Sequence, residues 1–145
     1  VELTFEILGT PLAKQSMKFT KGGVRYQPKQ VTQNAENIKS QVISQLPESF
    51  KIIANPVVVD AIFIFPPLKS FNKKMKQHID NGGYIIKSTK PDLDNLEKAI
   101  NDALEGIVFL NDSQVCKVRK LKYYGNTPQV RIRVTEVTEL LINKI

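Results

Sequence analysis

Leu3, Phe5 and Ile7 alternate with Glu2, Thr4 and Glu6. This period of two predicts a half-buried strand, ended by Gly9-Thr10-Pro11. Val31, Ala35, Ile38, Val42 and Leu46 recur every three to four residues. They form one apolar stripe of a helix that stops before Pro47. Val57–Phe65 is a nearly unbroken apolar, β-branched run, which predicts a central strand covered on both faces. Asp60 interrupts it and is read as a paired or strand-end charge. Leu93, Leu96, Ile100, Ala103, Leu104 and Ile107 fall on one side of a second helix, starting near Asp92 and closing near Gly106. Val115–Tyr124 and 129–137 read as strands joined by the turn Gly125-Asn126-Thr127-Pro128. In the second of them Val130, Ile132 and Val134 face one way, and Arg131 and Arg133 the other.

The segments between these elements are basic. Residues 14–29 read as a loop or hairpin turning at Gly22-Gly23, with Phe19 and Tyr26 as its aromatics. Pro66-Pro67 stops the central strand. Residues 68–90 then look like a long mobile loop, helical in part near 73–79 and broken by Asn81-Gly82-Gly83. Residues 139–145 are expected to form a short helix or a dimer contact. With 145 residues and no internal repeat, the chain is expected to be one domain, 1–145.

Charge sharpens this picture. Lysines and arginines number 21 against 14 acids, a net +7, which favours nucleic acid as partner. Six of the 14 acids lie between Asp92 and Asp112, whereas 10–35 and 113–135 contain none. Such a chain suits attraction of a polyanion to a hard metal ion. The single cysteine, Cys116, excludes an intrachain disulfide and is expected to be a small core residue. No signal peptide is visible and the longest apolar run is too short to span a bilayer, so a cytoplasmic protein is expected. His78 is the only histidine, which argues against a His-based zinc site and a Ser-His-Asp triad. No Gly-rich phosphate loop is present.

Asp92 and Asp94 follow Pro91 at a helix start. One aspartate there is explained by capping. Two, one residue apart, repel each other, and the alternative is a metal site. Lys98, four residues past Asp94, either pairs with it on the helix surface or touches a phosphate or attacking water. Asp112, in Asn111-Asp112-Ser113, either makes an Asx turn or returns to the helix start as a third carboxylate. Three converging aspartates would suit Mg²⁺ or Mn²⁺. Three basic blocks surround this centre as candidate phosphate contacts: Lys14, Lys18, Lys21, Arg25 and Lys29; Lys69, Lys73, Lys74 and Lys76; and Lys117, Arg119, Lys120, Lys122, Arg131 and Arg133. Phe71 either stacks on bases or anchors its loop.

These residues resemble the RusA family of Holliday-junction resolvases. The matching pattern is Lys-Pro-Asp-Leu-Asp-Asn-Leu at 90–96, the lysine at 98, Asp-Ala-Leu-x-Gly ending at Gly106, and Asp112-Ser113-Gln114-Val115. Gly9-Thr10-Pro11 with Lys14-Gln15, and Pro67-x-Lys-Ser with Lys73-Lys74, also match. The resemblance implies an α+β fold, with a mixed sheet and packed helices, and a homodimer. It implies a Mg²⁺- or Mn²⁺-dependent endonuclease that acts on four-way DNA junctions during recombination and repair, a type often carried by phages and prophages. Asp92, Asp94 and Asp112 would be the catalytic, metal-binding aspartates and Lys98 the essential lysine. DNA contacts would come from Lys14, Lys18, Arg25, Lys69, Phe71, Lys73, Lys74, Lys76, Lys117, Arg119 and Lys120. No organic cofactor and no membrane contact is expected. Two departures stand out: Asn111 occupies a position that is commonly aspartate, and 77–89 matches only loosely. The alternative is a non-catalytic, junction-binding or architectural dimer whose aspartates only cap a helix.

Overall fold

The computed structural model describes residues 1–14, 18–26 and 29–145, with the backbone alone at 18, 19, 26 and 31. Gln15 and the side chains of Lys18, Phe19, Tyr26 and Val31, all assigned above, lie outside the described residues. The elements in order are β1 (Glu2–Leu8), β2 (Lys18–Phe19), β3 (Arg25–Tyr26), α1 (Lys29–Gln45), β4 (Val57–Phe65), α2 (Lys73–Asp80), β5 (Ile85–Ile86), α3 (Leu93–Leu104), β6 (Val115–Tyr124) and β7 (Gln129–Glu136). A 3-10 turn, Asp112–Gln114, precedes β6. The fold is α+β, with a mixed five-stranded sheet in the order β1-β7-β4-β6-β5. β4 and β6 are parallel, and the other neighbours are antiparallel. β2 and β3 form a separate hairpin across Gly22-Gly23.

The alternation read in the sequence decides which face is covered. Leu3, Phe5 and Ile7 of β1, Val130, Ile132 and Val134 of β7, and Val57, Val59, Ala61, Phe63 and Phe65 of β4 are buried. They pack with Ile38 and Val42 of α1 and with Leu96, Ile100, Ala103 and Leu104 of α3 in one cluster, joined by Ile79 of α2. The outer edge of β1 is not left open. Gln41 and Gln45, one helical turn apart on α1, exchange hydrogen bonds with the backbone N–H and carbonyl groups of Leu8 and Glu6. Side-chain amides thus take the place of a sixth strand and blunt an edge that would otherwise pair with another chain.

Three expectations are corrected here. First, β4 is central but not covered on both faces. Its second face carries Val58, Asp60 and Ile62, all half-buried, and is covered only at its end, where Ile64 is buried. A groove of about 700 Å³ runs over that face between Thr4, Glu6, Asp60, Ile62, Arg131 and Arg133. The helices fill only one side, and the charge of Asp60 is met from neighbouring strands instead. The Nη2 of Arg119 donates to Asp60 at 3.1 Å and the Nε of Arg133 at 3.2 Å, with a further bond from the Nε of Arg119. The hydrogen bond from Arg119, helped by Arg133, outweighs burial and holds the Asp60 carboxyl below the ordinary 3.8. Second, β6 and β7 do not form a hairpin, because β4 lies between them. Their connection crosses the end of β4, where the N–H of Gly125 donates to the Phe65 carbonyl at 2.9 Å. Third, Cys116 is exposed and not in the core. The register of β4 against β6 shifts between Val57 and Val58, and Cys116 falls in that irregularity, with its Sγ near the Val57 carbonyl.

Two smaller outcomes follow. Residues 68–90 contain α2, capped by the Asn72 side chain, and β5, as well as loop. Residues 137–145 form neither helix nor strand, and Leu140, Leu141, Ile142 and Ile145 are exposed. Among the described residues no helix is long and apolar enough to cross a membrane.

Two substitutions test this packing. A Cβ at Gly125 would sit 2.8 Å from the Ile64 Cγ2 and 2.9 Å from the Tyr84 ring. Ile64 is buried and cannot withdraw, so Gly125→Ala is expected to lower stability by about 1–3 kcal/mol in urea unfolding. Asp60→Asn is expected to lower the melting temperature at neutral pH by a few degrees. The folded-state pKa of Asp60 is lowered, so the wild-type advantage is present above the ordinary value of 3.8. It shrinks as pH falls below that value. An advantage that persisted undiminished at lower pH would show that the charge of Asp60 is not its source.

Candidate metal and DNA-contacting site

α3 begins where the sequence places it, and for the expected reason: an apolar stripe whose first residues follow a proline. Asp92 is its N-cap residue, with extended backbone (φ −71°, ψ 145°), yet its side chain makes no capping hydrogen bond. The exposed carboxylate of Asp92 is therefore left available. Asp94, in the first turn, is also exposed. It pairs not with Lys98 but with Lys120 of β6, whose Nζ lies 2.6 Å from the Asp94 Oδ1 and 2.5 Å from the Glu97 Oε2. The Lys120 hydrogen bond, with a smaller contribution from the Lys98 charge, holds Asp94 below the ordinary carboxylate range. Burial pulls the Lys120 ammonium down, but its bonds to Asp94 and Glu97 prevail and raise it. Lys98 is exposed one turn beyond Asp94 and makes no salt bridge among the described residues.

The third aspartate sits elsewhere. The Asx-type turn expected at Asn111-Asp112-Ser113 is present, with Asn111 making it: its Oδ1 accepts from the Ser113 N–H at 2.9 Å, and its own N–H donates to the Gln114 Oε1 at 2.8 Å. Gln114 also donates to the carbonyls of Ile53 and Asn55, each at 2.9 Å, so this residue of the motif is structural. Asn111 and Gln114 close the turn between them and leave the Asp112 carboxylate unused. The Asp112 N–H donates to the Glu105 Oε1 at 3.2 Å, which places it at the C-terminal end of α3. A helix of 12 residues is about 18 Å long. Asp112 thus stands at the opposite end of α3 from Asp92 and Asp94, and β6 runs back along the helix from one end to the other. Among the described residues no group of three or more His, Cys, Asp or Glu side chains is assembled to hold a metal ion. Asp92 and Asp94 remain oxygen donors of the type a hard divalent cation takes, two residues apart at one helix end.

The basic blocks are also divided. Lys14 is tied to α3, through its N–H to the Asn95 carbonyl at 3.0 Å and through its Nζ to Asp102. Arg25 is exposed in the hairpin. Lys69, Lys73, Lys74 and Lys76 are exposed on α2 and the loop before it. Phe71 packs edge-on against Tyr124 at 5.0 Å between ring centroids, the contact of a loop anchor. Strand alternation splits the third block. Lys117 and Arg119 lie on the open face, with Arg119 committed to Asp60, whereas Lys120 and Lys122 face the helices. The sequence reading missed Glu97 as a partner of Lys120 and Tyr124 as a polar group. Period-two reading of Lys120, Lys122 and Tyr124 is the signal that groups them.

Comparison with known proteins supplies the context. A family model described as Endodeoxyribonuclease RusA matches residues 9–135. The chain is also similar to a protein of Bacillus subtilis (strain 168) named "Uncharacterized protein YqaN", 36% identical over 88 residues. That match covers 60% of this chain and spans 62% of the relative's length.

Asn111 provides a test of the turn. Asn111→Ala removes the acceptor for Ser113 and is expected to lower stability by about 1 kcal/mol, whereas Asn111→Asp keeps the acceptor and is expected to lower it far less. Urea unfolding of the three proteins decides; equal losses for both substitutions would show that the side-chain acceptor is not what holds the turn.

Proposed function

This chain belongs to the endodeoxyribonuclease RusA family, and from that premise we propose that it resolves four-way DNA junctions by paired symmetric nicks. We place the activity in a single domain, 1–145, that works as a homodimer with Mg²⁺, or Mn²⁺ in its place. One observation carries the reading at the level of residues. Asp92 and Asp94 stand at the start of α3 with only Leu93 between them, and the Asp92 carboxylate caps nothing. Capping was the alternative that the non-catalytic reading needed.

Asp92 and Asp94 would hold the cation, which when bound polarises a phosphate and activates water. Lys120 favours the ionised form of Asp94 and holds its side chain toward β6. Lys98, exposed one turn along the same helix, is placed to meet a phosphate oxygen and offset charge as it develops. The exposed lysines of α2 and the net charge of +7 draw DNA to the molecule. Asp112 joins the other two aspartates from a second copy. Its position at the far end of α3 within one chain supports this, as does a substrate that needs two equivalent cuts, since a two-fold dimer presents two equivalent sites.

The test uses an end-labelled synthetic junction with Mg²⁺ or with EDTA. Paired nicks are expected only with the metal. Asp94→Asn is expected to bind the junction as wild type does while nicking about 100-fold more slowly or worse. Tight binding with no nicks, in Mg²⁺ and in Mn²⁺ and across several junction sequences, would instead support a non-catalytic junction-binding dimer. Mixing chains separates the two placements of Asp112. Asp94→Asn and Asp112→Asn proteins, each inactive alone, are expected to regain single nicks when co-refolded, because one of the two sites in the mixed dimer is then intact. No recovery in a verified mixed dimer would put all three aspartates in one chain.

A further inference from the structure

After the Lys87 N–H donates to the Lys122 carbonyl at 3.2 Å, the chain leaves the sheet. The next backbone hydrogen bond is inside α3, from the Leu96 N–H to the Asp92 carbonyl. Among the described residues, no backbone–backbone hydrogen bond holds 88–91, the segment that delivers Asp92. Side chains of β6 hold it instead. Lys120, Lys122 and Tyr124 alternate along β6, pairing with Ala61, Phe63 and Phe65 of β4, and so share the face that carries the helices. The Lys122 Nζ donates to the Thr89 carbonyl at 2.6 Å and to the Pro91 carbonyl at 2.8 Å. The Tyr124 hydroxyl lies 3.2 Å from the Thr89 Oγ1. Lys120 takes Asp94 and Glu97.

The far end of this row is fixed by a buried cation. Lys87 is only 8% exposed and, among the described residues, makes no salt bridge. Its ammonium donates to the Thr89 Oγ1 at 2.7 Å and to the Tyr124 hydroxyl at 3.3 Å. It also lies over the Phe65 and Tyr124 rings, 4.9 and 4.8 Å from their centroids. Hydrogen bonding to Thr89, with Lys87 assisting against burial, lowers the pKa of the Tyr124 hydroxyl below its ordinary value.

We infer that Lys122 is a positioning residue: its ammonium ties the two carbonyls flanking Lys90 and thereby sets where Asp92 stands relative to Asp94. An ammonium suits the task, since one compact group offers three donors and can satisfy two carbonyls at once. Pro91 has no N–H, so this stretch cannot extend the β5 ladder through that residue. For its effect on metal and cleavage, the inference rests on the nuclease reading above; the tether itself does not.

Amide hydrogen exchange and Mn²⁺ calorimetry on the full chain test it, in wild type, Lys122→Met, Lys122→Arg and Thr89→Ala. Lys122→Met is expected to speed exchange of the Leu96 amide, the first that α3 protects, by about 10-fold or more, with the β1 and β7 amides unchanged. Mn²⁺ affinity is expected to fall by about 10-fold, the usual scale for losing a group that orients a ligand. Lys122→Arg is expected to restore both, because a guanidinium also donates to two carbonyls. Thr89→Ala keeps the carbonyl that Lys122 holds and is expected to leave this segment near wild type. If Lys122→Met does not fold, Lys122→Gln, which has no ammonium to bridge the two carbonyls, decides in its place, with loosening expected and wild-type exchange overturning the inference. Wild-type exchange of the Leu96 amide in Lys122→Met, or an equal rise across the whole sheet, overturns the inference. Loosening at Leu96 in a protein whose wild type binds no Mn²⁺ and cuts no junction sinks the nuclease reading and leaves the tether standing.

Discussion

Strand β6 lies parallel to β4, and a parallel pair cannot be closed by a hairpin. The chain between them must leave the sheet at Phe65, cross one face and return at Val115. Everything chemically distinctive lies in that crossing: the lysines of α2, the buried Lys87, the aspartates of α3 and the turn at Asn111. Because α3 runs back along β6, its first turn meets the second half of that strand. Lys120, Lys122 and Tyr124 are consequently the residues that reach Asp94, Pro91 and Thr89.

The same geometry separates the acidic residues. Asp92 and Asp94 enter α3 and Asp112 leaves beyond it, so the length of the helix stands between them. Six acids within 21 residues look like one cluster in the sequence, but they belong to several environments. Asp102 meets Lys14, Glu97 shares Lys120 with Asp94, and Glu105 receives the Asp112 N–H. Among the described residues Asp92, exposed at the helix start, has neither a salt bridge nor a side-chain capping bond.

The sheet applies a parallel rule to the bases. Alternation sends Arg119, Arg131 and Arg133 to the open face, where two of them neutralise Asp60, and sends Lys120 and Lys122 to the helix face. A block that reads as one phosphate-binding surface along the chain therefore has two tasks. Two of its six members, Lys120 and Lys122, hold the Asp94 and Glu97 carboxylates and the loop before α3. The lysines of α2 are exposed and, among the described residues, make no salt bridge.

The elements themselves were legible in the sequence. Alternation at Leu3, Phe5 and Ile7, the stripe from Leu93 to Leu104 and the glycine and proline boundaries are local, and periodicity records them directly. The opposition of Val130, Ile132 and Val134 to Arg131 and Arg133 was legible for the same reason, and so was the motif that runs through Asp92, Asp94, Lys98 and Asp112. What lay beyond the sequence depends on which strand neighbours which. Placing β4 between β6 and β7 abolished the expected hairpin, left one face of β4 open and set Cys116 at an irregularity in the pairing. It also gave Asp94 to Lys120, 26 residues away, in preference to Lys98 on the next turn. Periodicity determines which residues share a face. Only the tertiary pairing of those faces, through hydrogen bonds between segments distant in sequence, decides which of them meet.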